Sequence, residues 1–215
     1  LTIRTETEEF RDDASLDVDA MVSTLRSTRG RSYSACPNVA DWESAFGESG
    51  DVIAFTITSS LSGSYSRLRG GEKLHGAQPG DKAGTDTLRL VSRDLDVEGT
   101  AQIHVVDTLS AGPEITLLLE KALSEQSSGA GFDEVCENLK AYQRRTHLLF
   151  ALESMHNLAQ NGRISRLTAT MAGVLGIRAA GQASAEGTLE MLGKCRGGRK
   201  TQHFMLCEME RLGYG

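Results

Sequence analysis

Apolar residues near the start of the chain recur at helical spacing. Val18, Met21, Val22 and Leu25 follow an i, i+3, i+4, i+7 pattern, which is typical of one face of an amphipathic helix. The neighbouring positions are mostly polar or charged, as expected for the face that meets water. The pattern therefore predicts a helix over 15–27.

A loop and a shorter helix are predicted to follow. The loop covers 27–38, where the sequence shows no apolar period. Trp42 and Phe46 then lie four residues apart, which places them on one helix face. Asn38 is a suitable N-cap for this helix, and Asp41 three residues later completes the pairing that such caps use.

Two continuous apolar runs in the middle of the chain predict strands that are buried on both faces. The runs cover 52–57 and 103–106, and each ends in a polar turn that leads into a helical stretch. The first of these helices is predicted over 64–74. The second begins at Pro113, since proline is favoured at the first helical position. The repeated strand–turn–helix order indicates an α/β fold with a parallel sheet and right-handed βαβ crossovers.

The alternation of strands and helices changes near residue 145. A strand at 148–152 follows two consecutive helices, and a further strand at 188–192 and a last helix at 200–212 complete the chain. We therefore expect two α/β domains. The N-terminal domain covers 1–145, and a second, smaller domain covers 146–215.

Charge, hydropathy and cysteine spacing narrow the function classes. Lys and Arg number 23 against 29 Asp and Glu, a net charge of −6, which argues against a nucleic-acid partner. No apolar run approaches the roughly 18 residues of a transmembrane helix. The four cysteines lie far apart, and no cluster of histidines and carboxylates suggests a metal site. We expect free thiols in a reducing cytoplasm, and neither metal nor cofactor.

The polar turns after the two central strands each carry a serine shortly before a helix, Ser62 in the first turn and Ser110 in the second. In open α/β sheets, ligands bind outside the carboxyl ends of the strands. Helix N-termini there offer free N–H groups, and serine hydroxyls add neutral donors. The pattern favours a small anionic group near Ser62. Simple N-capping by Ser62 explains the same residues, and the sequence leaves both interpretations open.

Known catalytic motifs fit the sequence poorly. Ser62 has serine at both positions where the nucleophile elbow G-x-S-x-G has glycine. The stretch 193–201 nearly matches a phosphate-binding loop, but Arg199 stands where the lysine should be. No catalytic residue is therefore assigned. An esterase or a phosphoryl-transfer enzyme with Ser62 as its nucleophile remains the alternative.

Five short segments, taken in order over 5–207, resemble segments of the DegV family of bacterial fatty-acid-binding proteins. The segments are SACPN at 34–38, similar to the family's "TSQPS"; ITSSLSGSY at 57–65, similar to "SSGLSGTY"; VVDTLSAG at 105–112, similar to the "VVDS/T" turn; LAQNGRIS at 158–165, similar to "YLRKGGRIS"; and KCRGGRK at 194–200, similar to "KVRGRKKA". Each segment alone is a weak signal, but their order makes the resemblance strong.

The resemblance implies a two-domain DegV-like fold with a long-chain, palmitate-like fatty acid held between the domains. In the family, the first residue of "TSQPS" and the serine of "LSG" bind the carboxylate, and these correspond to Ser34 and Ser62. Gly63 and Arg163 are candidate secondary contacts. Some members present the fatty acid to a separate kinase, which makes an acyl phosphate for phospholipid synthesis. The resemblance thus implies a cytoplasmic carrier subunit with a kinase partner, and not an enzyme.

The sequence departs from the family pattern in several places. Cys36 and Asn38 differ from the residues of "TSQPS". The stretch 75–87 is glycine-rich without an apolar period, so we expect it to be exposed and mobile. The overlapping insertion over 76–93 is atypical of the family. The family's opening strand with its Asp-Ser motif and its last strands have no counterpart, and the chain begins at Leu1. We therefore expect a core fragment, with a truncated second domain.

A fatty-acid carrier also needs an apolar tunnel for the acyl chain. Helix faces around Met171, Val174 and Leu175 are candidates, with plain core packing as the other interpretation of the same residues. The surroundings of Ser62 separate the two function classes. A carrier needs a neutral donor at Ser62, whereas an enzyme needs a base within hydrogen-bond reach of its hydroxyl.

Overall fold

The computed structural model describes residues 2–28, 30, 32–46, 50–69, 102–155, 158–159, 161–164 and 176–214. In chain order, their helices and strands are β1 (Thr2–Arg4), β2 (Glu9–Arg11), α1 (Val18–Ser27), β3 (Tyr33–Ala35), α2 (Val39–Phe46), β4 (Val52–Thr56), α3 (Ser64–Arg69), β5 (Ile103–Asp107), α4 (Pro113–Ser127), α5 (Phe132–Gln143), β6 (Leu149–Leu152), β7 (Ile177–Ala183), β8 (Leu189–Arg196) and α6 (Gly198–Arg211).

The chain forms two compact units, each built from separate stretches of sequence. The first unit consists of Leu1–Pro37, Ala151–Ala180 and Met191–Gly215. The second consists of Asn38–Phe150 and Gly181–Glu190. The division predicted from the sequence, 1–145 and 146–215, is a single cut between two domains, and it stays a prediction.

Short antiparallel strands open the first unit. Strand β1 lies between β2 and β3, with Ile3 opposite Phe10 on one side and opposite Ser34 on the other. The prediction that all of 27–38 forms a loop is wrong, since β3 lies inside that range. Three residues with mixed polarity are too few to show an alternation, and it is their backbone pairing with β1 that makes them a strand.

The first helix of this unit confirms the predicted amphipathic pattern with a later start. Helix α1 begins at Val18, and the Asp17 carboxylate accepts a hydrogen bond from the Ala20 N–H at 2.9 Å. Aspartate is among the preferred N-cap residues because it satisfies an N–H that has no partner within the helix. Asp17 therefore sets the helix start, rather than the serine at position 15.

The second unit contains the predicted parallel pair. Strands β4 and β5 pair in parallel from Val52 opposite Ile103 to Thr56 opposite Asp107. One core cluster of this unit joins α2, β4, α3 and β5 and consists of Phe46, Ala54, Leu68 and Val105. A second cluster, formed by Leu118, Val135 and Leu139, joins α4 and α5 and packs against Ile53 and Phe55 of β4. The parallel sheet predicted from the two apolar runs is thus confirmed.

The helix starts that the sequence predicts for the second unit are also observed. The Asn38 side chain accepts from the Asp41 N–H at 2.9 Å, and the Asp41 carboxylate accepts from the Asn38 N–H at 2.9 Å. This reciprocal pairing caps α2 as expected. Pro113 is the first residue of α4, as predicted. The described part of the helix predicted over 64–74 is α3, which confirms its start at Ser64.

A three-stranded sheet has the order β6-β7-β8. The predicted strand at 188–192 extends to Arg196 in β8. Strand β7 was not predicted, because its Ala-Ala-Gly centre has little of the β-branched character that marks strands. The candidate tunnel residues Met171, Val174 and Leu175, and the insertion over 76–93 with its segment 75–87, lie outside the described residues.

Candidate functional site

Two polar turns lie side by side at the carboxyl end of the parallel pair. The first turn, residues 57–63, follows β4, and the second turn, residues 108–112, follows β5. Because Thr56 lies opposite Asp107 in the parallel register, both turns leave the sheet at the same edge. This is the edge at which open α/β sheets bind ligands.

Asp107 ties the two turns together. Its Oδ1 accepts a hydrogen bond from the Ser59 N–H of the first turn at 3.1 Å and from the Leu109 N–H of the second turn at 3.1 Å. The Gln143 side-chain amide donates to the Asp107 carbonyl at 2.8 Å, which anchors the residue to α5. Hydrogen bonds to a carboxylate are stronger than neutral ones. Asp107 therefore fixes the backbone of both turns.

Two buried threonines continue this network. The Thr58 N–H donates to the Ser110 carbonyl at 2.7 Å, and the Thr108 hydroxyl donates to the Thr56 carbonyl at 2.8 Å. Both threonines are fully buried. Buried polar groups that are paired in this way hold one backbone conformation, because breaking any pair leaves an unsatisfied group.

Ser62 lies at the end of the first turn, half-buried. Its N–H donates to the Thr58 carbonyl at 3.1 Å, and its hydroxyl accepts from the Ser64 N–H at 3.2 Å. The hydroxyls of Ser62 and Ser64 also lie 3.0 Å apart. Ser62 therefore caps the start of α3. N-capping was one of the two interpretations that the sequence left open. A hydroxyl has one donor and two acceptor positions, so this cap does not use up its bonding capacity.

The surroundings of Ser62 matter for the enzyme alternative. Within the described part of the chain, its hydroxyl makes hydrogen bonds to Ser64 and to no histidine or carboxylate. A serine nucleophile needs a base that removes its proton. The described contacts therefore provide a neutral donor at Ser62 and no activating base.

Ser110, singled out with Ser62 in the sequence, has a different environment. It is 1% exposed, and its hydroxyl has no hydrogen-bond partner among the described residues. The preceding Leu109 has a φ of 53°, an uncommon conformation for a side chain of its size. The carbonyl of Ser110 is what contributes to the network, since it accepts from Thr58. Ser110 thus stabilises the second turn through its buried backbone carbonyl.

Ser34 belongs to the first unit, whereas Ser62 and Gly63 belong to the second. Ser34 is the central residue of β3, opposite Ile3, and its side chain is exposed. Gly63 is half-buried between Ser62 and Ser64.

Arg163 also lies in the first unit, directly after a turn at Asn161-Gly162. Gly162 has a φ of 72°, a conformation that favours glycine. The Asn161 side chain donates to the Ser32 carbonyl at 3.1 Å, and the Arg163 guanidinium donates to the Asn161 carbonyl at 2.8 Å. The turn that carries Arg163 is therefore tied to the segment that leads into β3.

One contributor to the site was missed from the sequence, namely the turn between β7 and β8, residues 184–188. The Gly187 carbonyl accepts hydrogen bonds from the hydroxyls of Thr58, at 3.0 Å, and Ser60. Thr58 and Ser60 are separated from Gly187 by more than half the chain, so no local pattern could reveal these contacts. The local signal was Gly187 itself, since glycine is favoured in tight turns.

The structure also bears on three other possibilities: a phosphate-binding loop at 193–201, a metal site and a membrane-spanning helix. Lys194 lies inside β8, and a single residue, Gly197, separates that strand from α6. A phosphate-binding loop needs a longer glycine-rich turn, so none forms there. In the described ranges, no group of three or more histidines, cysteines, aspartates and glutamates is placed to hold a metal ion. Among the described helices, none combines the length and apolar character that spanning a membrane requires.

Comparison with known proteins identifies the family. A family model described as "Uncharacterised protein, DegV family" matches residues 1–212. A DegV domain-containing protein of Streptococcus pneumoniae strain R6 is 39% identical over 214 residues, which cover 100% of this chain and 69% of that protein. The chain therefore belongs to the DegV family, as its motifs indicated.

Two solved structures of similar fold carry fatty acids. A DegV family protein from Eubacterium eligens, loaded with heptadecanoic acid, has a TM-score of 0.84 and 35% identity, with 98% of this chain and 70% of that chain covered. The Streptococcus pneumoniae Fatty Acid Kinase (Fak) B3 protein, loaded with linoleic acid, has a TM-score of 0.84 and 38% identity, with 99% and 69% covered. The predicted DegV-like α/β fold is thus confirmed.

Proposed function

We propose that this protein binds a long-chain fatty acid, such as palmitate, between its two domains and holds the carboxylate through the hydroxyls of Ser34 and Ser62. The observation that carries the proposal is the fatty acid in both related structures, heptadecanoic acid in one and linoleic acid in the other. The acyl chain supplies most of the affinity, at about 0.8 kcal/mol per buried CH₂. The carboxylate supplies the preference for an acid.

The chemistry of the second unit supports a carboxylate at Ser62. Its backbone is fixed by the bond from its N–H to Thr58, and its hydroxyl can donate its proton to a ligand when the Ser64 hydroxyl is the donor in the pair that the two serines form. A hydrogen bond to a charged acceptor contributes about 1.5–3 kcal/mol. The N–H of Gly63 and the guanidinium of Arg163 are the proposed secondary contacts. A fixed donor loses little entropy on binding, which favours this turn as an anion site.

We further propose that the protein is a carrier subunit that presents its fatty acid to a separate kinase for phospholipid synthesis. The support is the similarity to the Fatty Acid Kinase B3 protein. A cytoplasmic location accords with the four cysteines, all of which are free thiols. Among the described residues, the Ser62 hydroxyl bonds only to two atoms of Ser64 and to no base, and this favours a carrier over an esterase or phosphoryl-transfer enzyme.

The test compares hexadecanoic acid with hexadecan-1-ol, which differ only in the headgroup. Native mass spectrometry of the purified protein first establishes whether a fatty acid is bound. Calorimetry then gives Kd for both ligands with the wild type, Ser34→Ala/Ser62→Ala, and the control Ser127→Ala, whose hydroxyl donates to the Leu123 carbonyl of its own helix. We expect the double variant to bind both ligands weakly and equally. Undiminished preference for the acid would place the carboxylate elsewhere.

A further inference from the structure

We propose that Gly187 is a positioning residue for carboxylate binding: its carbonyl, at the tip of the β7–β8 turn, holds the first turn in the conformation that presents Ser62. This inference rests on the proposed function. It assigns Gly187 no contact with the ligand. It assigns to the β7–β8 turn the task of fixing a donor that lies elsewhere in the second unit.

The contact between the two turns is buried and made by two donors. The Gly187 carbonyl accepts from the Thr58 hydroxyl at 3.0 Å and from the Ser60 hydroxyl. Gly187 and Thr58 are both buried. A carbonyl has two lone pairs, so both bonds form at once. Loss of both donors would leave the buried Gly187 carbonyl unsatisfied, which is why the contact holds its geometry.

Thr58 connects the contact with Gly187 to Ser62 through hydrogen bonds. While its hydroxyl bonds to Gly187, its carbonyl accepts the N–H groups of Leu61 and Ser62, each at 3.1 Å. The Ser60 N–H also points to the Thr58 hydroxyl, at 3.3 Å. Thr58 is thus bonded to the β7–β8 turn at one end and to Ser62 at the other. A displacement of Thr58 must move the Ser62 hydroxyl.

Only glycine fits at position 187. Its φ of 73° is a conformation that side chains rarely adopt. A Cβ there would lie 2.1 Å from the Thr58 hydroxyl and 2.8 Å from the Leu109 Cα. The turn itself is stiffened internally, since the Ser184 hydroxyl accepts the N–H groups of Glu186 and Thr188 at 3.1 and 3.2 Å. A larger residue therefore pushes on the first turn at Thr58.

The test is Gly187→Ala with Gly129→Ala as its matched control. Gly129 has a φ of 85°, and a Cβ on it would meet no atom within 4 Å, so its alanine variant carries the backbone strain without the clash. We expect Gly187→Ala to weaken binding of hexadecanoic acid by about 10-fold or more, equivalent to one lost hydrogen bond to a charged group. Binding of hexadecan-1-ol should change less than about 2-fold, and Gly129→Ala should leave both unchanged. Equal weakening of acid and alcohol would indicate a merely structural role and overturn the inference.

A second variant covers the case in which Gly187→Ala fails to fold. Thr58→Val keeps the shape of the side chain and removes its hydroxyl, so it breaks the bond to Gly187 without a clash. It should also reduce the preference for acid over alcohol. Ser62→Ala separates the two proposals. If Ser62→Ala leaves that preference intact, the proposed function fails and this inference with it. If Ser62→Ala removes the preference while Gly187→Ala and Thr58→Val leave it intact, this inference alone fails.

Discussion

Ser62 and Ser34 are assigned to the same carboxylate, yet their local structures differ. Ser62 is half-buried in a turn that Asp107, Thr58 and Gly187 fix through hydrogen bonds. Ser34 is exposed on β3, a three-residue strand at the edge of its sheet. Ordering a side chain on binding costs free energy that a fixed donor does not lose. The hydroxyls of Ser34 and Ser62 therefore need not contribute equally to the free energy of binding, although one carboxylate is their proposed partner.

The largest expected effect is on stability and comes from the core that packs against the strand leading into the Ser62 turn. Leu118 is 0% exposed and packs with Val135 and Leu139 against β4, the strand that leads into the first turn. Leu118→Ala should lower the free energy of unfolding by about 2–5 kcal/mol, the usual cost of a buried leucine with its cavity. Urea unfolding measures this directly.

The neighbouring Leu117 provides the control for that measurement. It lies on the same helix and is 43% exposed. Surface substitutions of this kind usually change stability by less than about 0.5 kcal/mol. Similar losses for Leu117→Ala and Leu118→Ala would contradict this packing and, with it, the rigid support of the Ser62 turn.

The Ser62 region was also the more predictable of the two. Val52–Thr56 and Ile103–Asp107 are runs of apolar, largely β-branched residues, which identify buried parallel strands from composition alone. The polar turns after them then had to share one sheet edge. The strand–turn–helix order pointed to Ser62 as the serine just before a helix, and the family resemblance added its expected role in carboxylate binding.

The Ser34 region and the long-range contacts were beyond such reasoning. Strand β3 has three residues, all exposed, and a segment that short carries no readable alternation. The bonds from Thr58 and Ser60 to Gly187 span more than 120 residues. They depend on how distant segments of the chain pack, which single-sequence patterns do not contain. The roles of Ser34 and Ser62 in binding stay predictions.

The comparison of the two serines can be tested by single variants. Ser62→Ala should weaken binding of hexadecanoic acid by about 10- to 150-fold, corresponding to about 1.5–3 kcal/mol for a hydrogen bond to a charged acceptor. Ser34→Ala should have the smaller effect, because part of its bond energy is spent on ordering an exposed strand. Calorimetry with the acid and the alcohol gives both values. An equal or greater loss at Ser34 would show that local fixation does not govern the contribution.

Asp107→Asn tests the link between the two turns. An amide oxygen has two lone pairs and can accept both N–H groups, but it lacks the charge that strengthens the bonds from Ser59 and Leu109. We expect a loss of about 1–2 kcal/mol in the free energy of unfolding and a reduced preference for acid over alcohol. Chemical denaturation and calorimetry on one preparation measure the two effects.

The other end of the same strand pair offers a matched control. Asp51 precedes β4, and its carboxylate accepts the Gln102 N–H at 2.9 Å. Asp51→Asn weakens a similar bond at the amino ends of the strands, away from both turns. It should reduce stability without altering the preference for acid. If Asp51→Asn and Asp107→Asn change that preference alike, the carboxyl-end turns have no special part in binding.

The smallest effect concerns Glu125 of α4, whose side chain is 17% exposed and accepts a hydrogen bond from Asn138 of α5. The Lys121 ammonium and the Asn138 amide, which donates at 2.8 Å, lower the pKa of Glu125 below its usual value of 4.5. A carboxyl with a lower pKa in the folded state stabilises the protein above the unfolded-state pKa, and this stabilisation is lost as the pH falls through the folded-state pKa. Glu125→Gln should therefore lower Tm slightly at pH 7, and the difference should shrink as the pH falls below about 4.5. Scanning calorimetry at pH 7 and at a pH below about 4.5 measures this difference in Tm. Glu120→Gln is the control from the same helix. A difference that grows towards low pH would contradict the assigned pairing, and any change in acid preference would extend the site beyond the turns.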